Sequence, residues 1–132
     1  MPKTIVWIED DTDIIDPVVR PLERAGYEIV RLRSVAEALN AVEQIRAAKL
    51  ILLDMILPPH SDGREYGRYP GLKLLEILQR DQGITTPVVA LTVVTHADVE
   101  HGLHALGVSE IVRKPVRPSE LKERVEKILR RE

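Results

Sequence analysis

The chain has 132 residues, no cysteine and a formal net charge of −2. This length suits one domain with its own hydrophobic core, and the lack of cysteine excludes disulfides, thiolate metal sites and cysteine nucleophiles. The first apolar run covers only Ile5 to Ile8 before acidic residues appear, so we predict neither a signal peptide nor a membrane span. We expect a cytoplasmic protein with no membrane partner.

Basic residues are concentrated near the C-terminus, where the segment from Arg113 to Glu132 has eight basic and four acidic residues. The two signs are interleaved at helical spacing, as in the pair Glu120/Arg124. No aromatic residue and no DNA-binding motif accompanies them. A solvated helix face is therefore favoured over a nucleic-acid site, and we expect no nucleic-acid partner.

Strand and helix signals alternate along the whole chain. The predicted strands are Ile5 to Ile8, Tyr27 to Leu32, Leu50 to Asp54, Pro87 to Thr92 and Val108 to Val112. The predicted helices cover residues 13–25, a segment opened by a capping box at 34–37, and residues 72–81, 97–106 and 118–130. Five such units without repeats predict an α/β fold, a doubly wound parallel sheet with five helices on its two faces.

The first two helices carry more detailed expectations. In the first, Pro21 removes an internal hydrogen bond and predicts a kink. Its predicted buried stripe is Ile14, Val18, Leu22 and Ala25. The second helix is predicted as one continuous element with the stripe Val35, Leu39, Val42 and Ile45.

The third strand, Leu50 to Asp54, has four consecutive aliphatic residues that lead directly to a carboxylate. An apolar run this short and without alternation is typical of a strand covered on both faces. Asp54 then lies at the carboxyl end of the sheet, which is the edge where ligands bind in open α/β folds.

Polar side chains also follow the other strands. Glu9 and Asp10 follow the first strand, Thr92 ends the fourth and Lys114 follows the fifth. Together with Asp54 these acids make three carboxylates. They need a compensating charge, which a hard divalent cation such as Mg²⁺ and the lysine can supply. This set predicts an aspartate nucleophile for phosphoryl transfer.

These motifs together resemble the response-regulator receiver domain of two-component signalling. The resemblance rests on Ile5 to Asp11, on Leu50 to Asp54 followed by Leu57-Pro58, on Ala90 to Thr92, and on Lys114-Pro115. It implies a flavodoxin-like fold with strand order 2-1-3-4-5, and one receiver domain over residues 1–132.

The resemblance also implies a role for each site residue. Asp54 accepts a phosphoryl group from a histidine kinase or phosphotransfer protein, Lys114 pairs with Asp54 or its phosphate, and Thr92 moves to contact the phosphate. The implied Mg²⁺ ligands are Glu9, Asp10, Asp54 and the backbone carbonyl of Ile56. The Lys114-Pro115 bond is expected to be cis. The domain is expected not to be an enzyme beyond its own phosphorylation and dephosphorylation.

Glu9 stands where receivers usually have aspartate, and its longer side chain is expected still to serve a water-mediated ligand. Ile111 stands where receivers commonly have tyrosine or phenylalanine. Ile111 and the altered loop after Asp54 keep an alternative function open. An isoleucine cannot make the aromatic swing that accompanies switching, so a phosphorylation-independent interaction domain is the alternative function. A phosphatase of the haloacid-dehalogenase type is disfavoured, because Ile56 stands where that class needs a second aspartate.

The segment from Met55 to Pro70 is predicted to be an extended loop, with roughly eight residues more than the family has. It is rich in tyrosine and arginine, so it is either a docking loop or lid, or a mobile surface insertion. Apolar Ile56 and Val94 flank the site, which leads to the hypothesis of a long-lived phosphoryl state.

Downstream contacts are expected on the usual family surface of the fourth helix, fifth strand and fifth helix, which includes Glu110 and Arg124. Whether this surface serves a homodimer, a kinase or an unknown downstream protein stays open. A metal site at His101 and His104 is a minor hypothesis. Trp7 is predicted to lie in the core, close enough to the site for its fluorescence to report binding there.

Overall fold

Our computed structural model describes residues 3–10, 12–57, 69–93 and 97–130, with the backbone alone for residues 12–15. Five parallel strands form one sheet: β1 (Thr4–Ile8), β2 (Glu28–Leu32), β3 (Leu50–Asp54), β4 (Val88–Thr92) and β5 (Glu110–Arg113). Their spatial order is β2-β1-β3-β4-β5. The predicted doubly wound α/β fold and its strand order are confirmed.

Helices cover both faces of this sheet. Within the described ranges they are α1 (Thr12–Arg24), α2 (Val35–Leu39), α3 (Val42–Ala47), α4 (Pro70–Arg80), α5 (Ala97–Ala105) and α6 (Pro118–Arg130). Apolar residues of α1 and α6 pack on one face, and those of α2 to α5 pack on the other. None of these helices combines the length and the apolar character that crossing a bilayer requires.

The prediction of a single second helix, and so of five helices in all, is wrong. The segment forms α2 and α3, separated at Asn40 and Ala41. Asn40 caps α2 by donating its backbone N–H to the carbonyl of Ala36 at 3.1 Å, and Ala41 has non-helical angles of φ −120° and ψ 27°. Asparagine favours such caps over helix interiors because its side chain competes for backbone hydrogen bonds. The apolar spacing continues across the break, so periodicity alone could not reveal it.

The first helix is continuous through Pro17 and Pro21, but its buried stripe differs from the prediction. Val19 and Leu22 are fully buried, whereas Val18 is half-buried and Ala25 is exposed. Two adjacent valines fit a helical stripe equally well, and Ala25 lies beyond the last helical residue. The side chain of Ile14 lies outside the described residues.

Burial falls from the centre of the sheet to its edges. Every residue of β3 and β4 is buried, as the apolar run of Leu50–Asp54 predicts. The edge strands β2 and β5 are mostly half-buried. The central strands therefore form a rigid base for side chains at their carboxyl ends.

Candidate functional site: an acidic cluster with one lysine

The sheet register brings the predicted strand-end residues to one edge. Asp54 aligns with Leu91, and Thr92 aligns with Arg113, which precedes the lysine. Glu9 follows β1 directly, and its backbone N–H donates to the carbonyl of Leu32 at 2.9 Å. The edge therefore carries the side chains of four strands.

Three carboxylates form a cluster at this edge. One oxygen from each of Glu9, Asp10 and Asp54 lies within 4.8 Å of the others. Glu9 is 3% exposed and Asp54 is 5% exposed, while Asp10 is open to solvent. Oxygen donors at this spacing, with one member facing solvent, suit Mg²⁺, which prefers carboxylates and retains several waters.

Lys114 supplies the positive charge within the cluster. Its Nζ donates to Oε2 of Glu9 at 2.6 Å and to Oδ2 of Asp54 at 3.0 Å. Its backbone N–H donates to the carbonyl of Thr92 at 2.9 Å, and the Lys114–Pro115 peptide bond is cis, as the resemblance implies. The contact with Glu9 was not foreseen from the sequence, because it depends on side-chain reach between elements far apart in the chain.

Burial and neighbouring charges change the acidity of these groups. Burial, together with the adjacent Asp54 carboxylate, raises the pKa of Glu9 from 4.5 to about 7, although Lys114 opposes the shift. Burial lowers the pKa of Lys114, but its hydrogen bonds to Glu9 and Asp54 outweigh this effect and the pKa is raised overall. The lysine therefore stays charged, whereas Glu9 can exchange a proton near neutral pH.

The backbone around Asp54 is held from two sides. The N–H of Ile56 donates to Oδ1 of Asp54 at 3.2 Å, which orients the carboxylate. The N–H of Gly71, in the first turn of α4, donates to the carbonyl of Met55 at 2.9 Å. A Cβ on Gly71 would lie 1.9 Å from the carbonyl oxygen of Asp54, so only glycine permits this approach. The sequence signal that could have indicated it is a glycine directly after Pro70, at the start of a helix.

The remaining site residues have different surroundings. Thr92 is 2% exposed at the end of β4. Two apolar side chains next to site residues are exposed: Ile56, two residues after Asp54, is 45% exposed, and Val93, directly after Thr92, is 65% exposed. Val94 lies outside the described residues. Ile111 is half-buried and packs against the face covered by α2 to α5.

The extended loop is described only at its ends. Residues 58–68 lie outside the described ranges, and Pro70 belongs to α4 rather than to the loop. The docking, lid and insertion interpretations therefore stay predictions. On α5, His101 and His104 are exposed, and within the described ranges neither belongs to a group of three metal-binding side chains.

An apolar cavity of about 80 Å³ lies beside the cluster. Its lining residues are Trp7, Glu9, Val18, Leu91, Lys114, Pro115 and Val116. Trp7 is buried, as predicted, and its Nε1 has no hydrogen-bond partner among the residues that the structure describes. The single tryptophan of the chain therefore shares a cavity wall with the two residues of the shortest ion pair at the site.

A second, solvent-open groove of about 370 Å³ lies between β5 and α6. Arg124 on its wall contacts the carboxylate of Glu110 and that of Glu120, the latter at 3.2 Å. This groove coincides with part of the contact surface expected from the sequence.

Residues 5–126 match the response regulator receiver domain family. The chain is 32% identical over 130 residues to the phosphate regulon transcriptional regulatory protein PhoB of Pseudomonas aeruginosa, covering 98% of this chain and 52% of that protein. It is 32% identical over 132 residues to the DNA-binding response regulator MtrA of Mycolicibacterium smegmatis, covering 99% and 52%. The chain thus spans about half the length of the curated relatives it matches.

Among solved structures, the chain is similar to a CheY-like response regulator receiver domain protein of Methanospirillum hungatei. The TM-score is 0.82 at 25% identity, and the match covers 99% of this chain and 96% of the other. The family match covers nearly the whole chain. The strand order and the acidic cluster agree with it. The chain therefore belongs to the response regulator receiver domain family of two-component signalling.

Proposed function

We propose that Asp54 accepts a phosphoryl group from a histidine kinase or a phosphotransfer protein, and that the modified domain then changes its protein contacts. The observation that carries this proposal is the environment of the Asp54 carboxylate. It is buried at a sheet edge, accepts hydrogen bonds from Ile56 and Lys114, and lies beside two further carboxylates. Such a group is held in one orientation, as a nucleophile must be.

The proposed step forms one bond and breaks one. An oxygen of Asp54 attacks phosphorus, the bond from phosphorus to the donor's imidazole nitrogen breaks, and the imidazole keeps the electron pair and takes up a proton. Lys114 stays charged in this environment and stabilises the transferred oxygens. The Thr92 hydroxyl is proposed as a further hydrogen-bond donor to them.

Four groups would hold Mg²⁺: the carboxylates of Glu9, Asp10 and Asp54, and the backbone carbonyl of Ile56. When bound, the metal supplies positive charge that offsets the charge of the phosphoryl group. Asp10 is the exposed member of the set and gives access from solvent. In this proposed function the domain catalyses only its own phosphorylation and dephosphorylation, and it does not act as a conventional enzyme.

The output would use protein contacts. We propose that residues 1–132 act as one cytoplasmic receiver domain whose α5–β5–α6 surface contacts a second copy or a downstream protein. The groove that contains Glu110 and Arg124 supports this choice of surface. A long phosphoryl lifetime remains part of the proposal, based on apolar Ile56 and Val94.

The test is incubation with Mg²⁺ and acetyl phosphate, followed by intact-mass measurement. The parent should gain the mass of one phosphoryl group, and Asp54→Asn should not. Asp81→Asn, which changes an exposed aspartate at the end of α4, is the matched control and should behave like the parent. Equal labelling of Asp54→Asn and the parent, or no labelling of either, would reject the proposal.

The alternative function is a receiver-like interaction domain that does not use phosphate. Ile111 favours it, because this half-buried aliphatic residue cannot make an aromatic swing. Beryllofluoride with Mg²⁺ separates the two functions. A change in Trp7 emission that Asp54→Asn abolishes supports phosphorylation, and an unchanged spectrum supports the alternative.

A further inference from the structure

The indole N–H of Trp7 is a buried hydrogen-bond donor that no described residue accepts. Trp7 lies on β1 and is 3% exposed. Within the described ranges, its Nε1 is the one buried side-chain polar atom in this condition. A buried tryptophan N–H usually has a partner, because a donor taken out of water loses the hydrogen bonds that it made there. An acceptor from outside the chain would satisfy it.

The cavity of about 80 Å³ beside Trp7 is the space in which such an acceptor could lie. Its apolar lining residues are Trp7, Val18, Leu91, Pro115 and Val116. Glu9 and Lys114 also line it, but their charged groups contact each other at 2.6 Å. The wall is therefore largely apolar and contains one donor, the Trp7 N–H, that lacks a partner within the described residues.

The chemistry of this wall favours an organic occupant over water. A buried water molecule typically makes about three hydrogen bonds, and cavities with apolar walls stay dry. A neutral molecule with one acceptor atom can satisfy the single N–H and cover the apolar wall at the same time. An engineered cavity of about 150 Å³ holds benzene, so a space half that size limits the occupant to a few non-hydrogen atoms.

We propose that the Trp7 cavity binds a small neutral molecule, such as a short ketone or alcohol, whose oxygen accepts the hydrogen bond of the indole N–H. The apolar part of the molecule would contact Val18, Leu91 and Val116. A Kd of about 1 mM lies within what about four non-hydrogen atoms can supply. Asp54 is not among the lining residues, so this site can exist whether or not Asp54 accepts a phosphoryl group.

The test is an NMR titration of the whole chain with acetone, which has one accepting oxygen, two methyl groups and no donor. The chain has one tryptophan, so its single indole N–H signal reports this site alone. The signal should move downfield and saturate as acetone is added. A shift that stays linear in acetone concentration would be a general solvent effect and would overturn the proposal. A nuclear Overhauser effect from the indole proton to water, without a saturable response to acetone, would overturn it as well.

Xenon separates the hydrogen bond from the filling of space. It enters small apolar cavities but accepts no hydrogen bond from an N–H group. Xenon should therefore shift the methyl signals of Val18, Leu91 and Val116 without the downfield shift of the indole proton that acetone causes. Equal indole shifts with the two probes would show that the N–H does not bind the occupant, which contradicts the proposal.

Substitutions that fill the cavity locate the bound acetone. Val18→Leu adds one methylene group to the wall on α1, where leucine is a good helix former, and it should abolish the saturable shift. Val116→Leu, before α6, is a second filling variant in case the first disturbs α1.

The matched control is Val42→Leu, which adds the same group at a half-buried position of α3 on the opposite face of the sheet. It should bind acetone like the parent, and circular dichroism checks that each variant is folded. Unchanged acetone binding in both Val18→Leu and Val116→Leu would place the acetone elsewhere and reject the site.

Discussion

Lys114 and Arg124 each contact two carboxylates, but the two sets lie in opposite surroundings. The partners of Lys114 are Glu9 and Asp54, whose side chains are 4% and 8% exposed. The partners of Arg124 are Glu110 and Glu120, whose side chains are 30% and 47% exposed. Each set joins one cation to two carboxylates, and the access of water differs greatly between the two sets.

This difference separates a reactive site from a stabilised surface. Exposed ion pairs contribute little because water solvates each partner nearly as well. Buried carboxylates lose that solvation, so they need the positive charge of the lysine. Their pKa values can shift, and they can bind a cation. The Lys114 set is therefore suited to chemistry, and the Arg124 set to adjustable protein contacts.

The largest expected effect comes from removing the cation of the buried set. Lys114→Met should lower the free energy of unfolding at neutral pH by about 4 kcal/mol, because it leaves buried carboxylates unpaired. Urea denaturation in the presence of a chelator measures this change. Addition of Mg²⁺ should restore part of the stability, and a loss below about 1 kcal/mol would place this set in the same class as the surface pairs.

The pH dependence of the metal-free domain should show the same contrast. Because the pKa of Glu9 is about 7 in the folded state and 4.5 ordinarily, the folded protein keeps a proton between these values that the unfolded chain has lost. Stability from this group is therefore greatest below pH 4.5 and falls as the pH rises through 7. The fall should be at most about 3.5 kcal/mol, at about 1.4 kcal/mol per pKa unit.

Denaturation from pH 5 to 8 with a chelator tests this slope. Glu9→Gln should flatten it, and Glu120→Gln on the surface should not. The pKa of Lys114 is raised from an ordinary value that already lies above this range, so the lysine does not contribute to the slope. An unchanged slope in Glu9→Gln would assign the titration to another group.

Alanine substitutions at two glycines separate a rigid contact from an adjustable one. Gly71 packs against backbone atoms next to Asp54, whereas Gly102 packs against a side chain that can move. Gly71→Ala should destabilise the fold by about 2 kcal/mol and weaken Mg²⁺ binding, since its Cβ would meet the Asp54 carbonyl at 1.9 Å. At Gly102 an added Cβ would lie 3.1 Å from the flexible side chain of Leu72, so Gly102→Ala should bind Mg²⁺ normally. Equal effects of the two changes on Mg²⁺ affinity would show that the α4 contact does not position Asp54.

The smallest effect is expected in the exposed set. Arg124→Met should change the free energy of unfolding by less than about 1 kcal/mol and should not change labelling by acetyl phosphate. The measurements are urea denaturation and intact mass. A larger loss of stability would show that the contact of Arg124 with Glu110 is needed to hold α6 against β5.

The sequence predicted the central part of the fold better than its periphery. Leu50–Asp54 was located to the residue because an uninterrupted aliphatic run has one interpretation in a parallel sheet. The break at Asn40 was missed because the apolar spacing continues across it. The choice of Val19 over Val18 depends on helix rotation, which two adjacent valines do not specify.

At the site, the sequence predicted which residues lie together. It did not predict which carboxylate Lys114 approaches more closely. Strand ends brought Glu9, Asp54 and Lys114 to one edge by topology alone. The closer approach of the lysine to Glu9 depends on side-chain lengths and burial across three strands. The approach of Gly71 to Asp54 is likewise a packing relation between segments that no local pattern encodes.

The division of one expected helix into α2 and α3 has a consequence for how the molecule opens. Helices of five and six residues cannot persist alone in water, so both depend on tertiary packing of residues such as Val35 and Ile45. Their amide protons should exchange with solvent before those of β3, through local opening rather than global unfolding. The domain can therefore lose order in this region of its α2–α5 face while the strand that holds Asp54 stays protected.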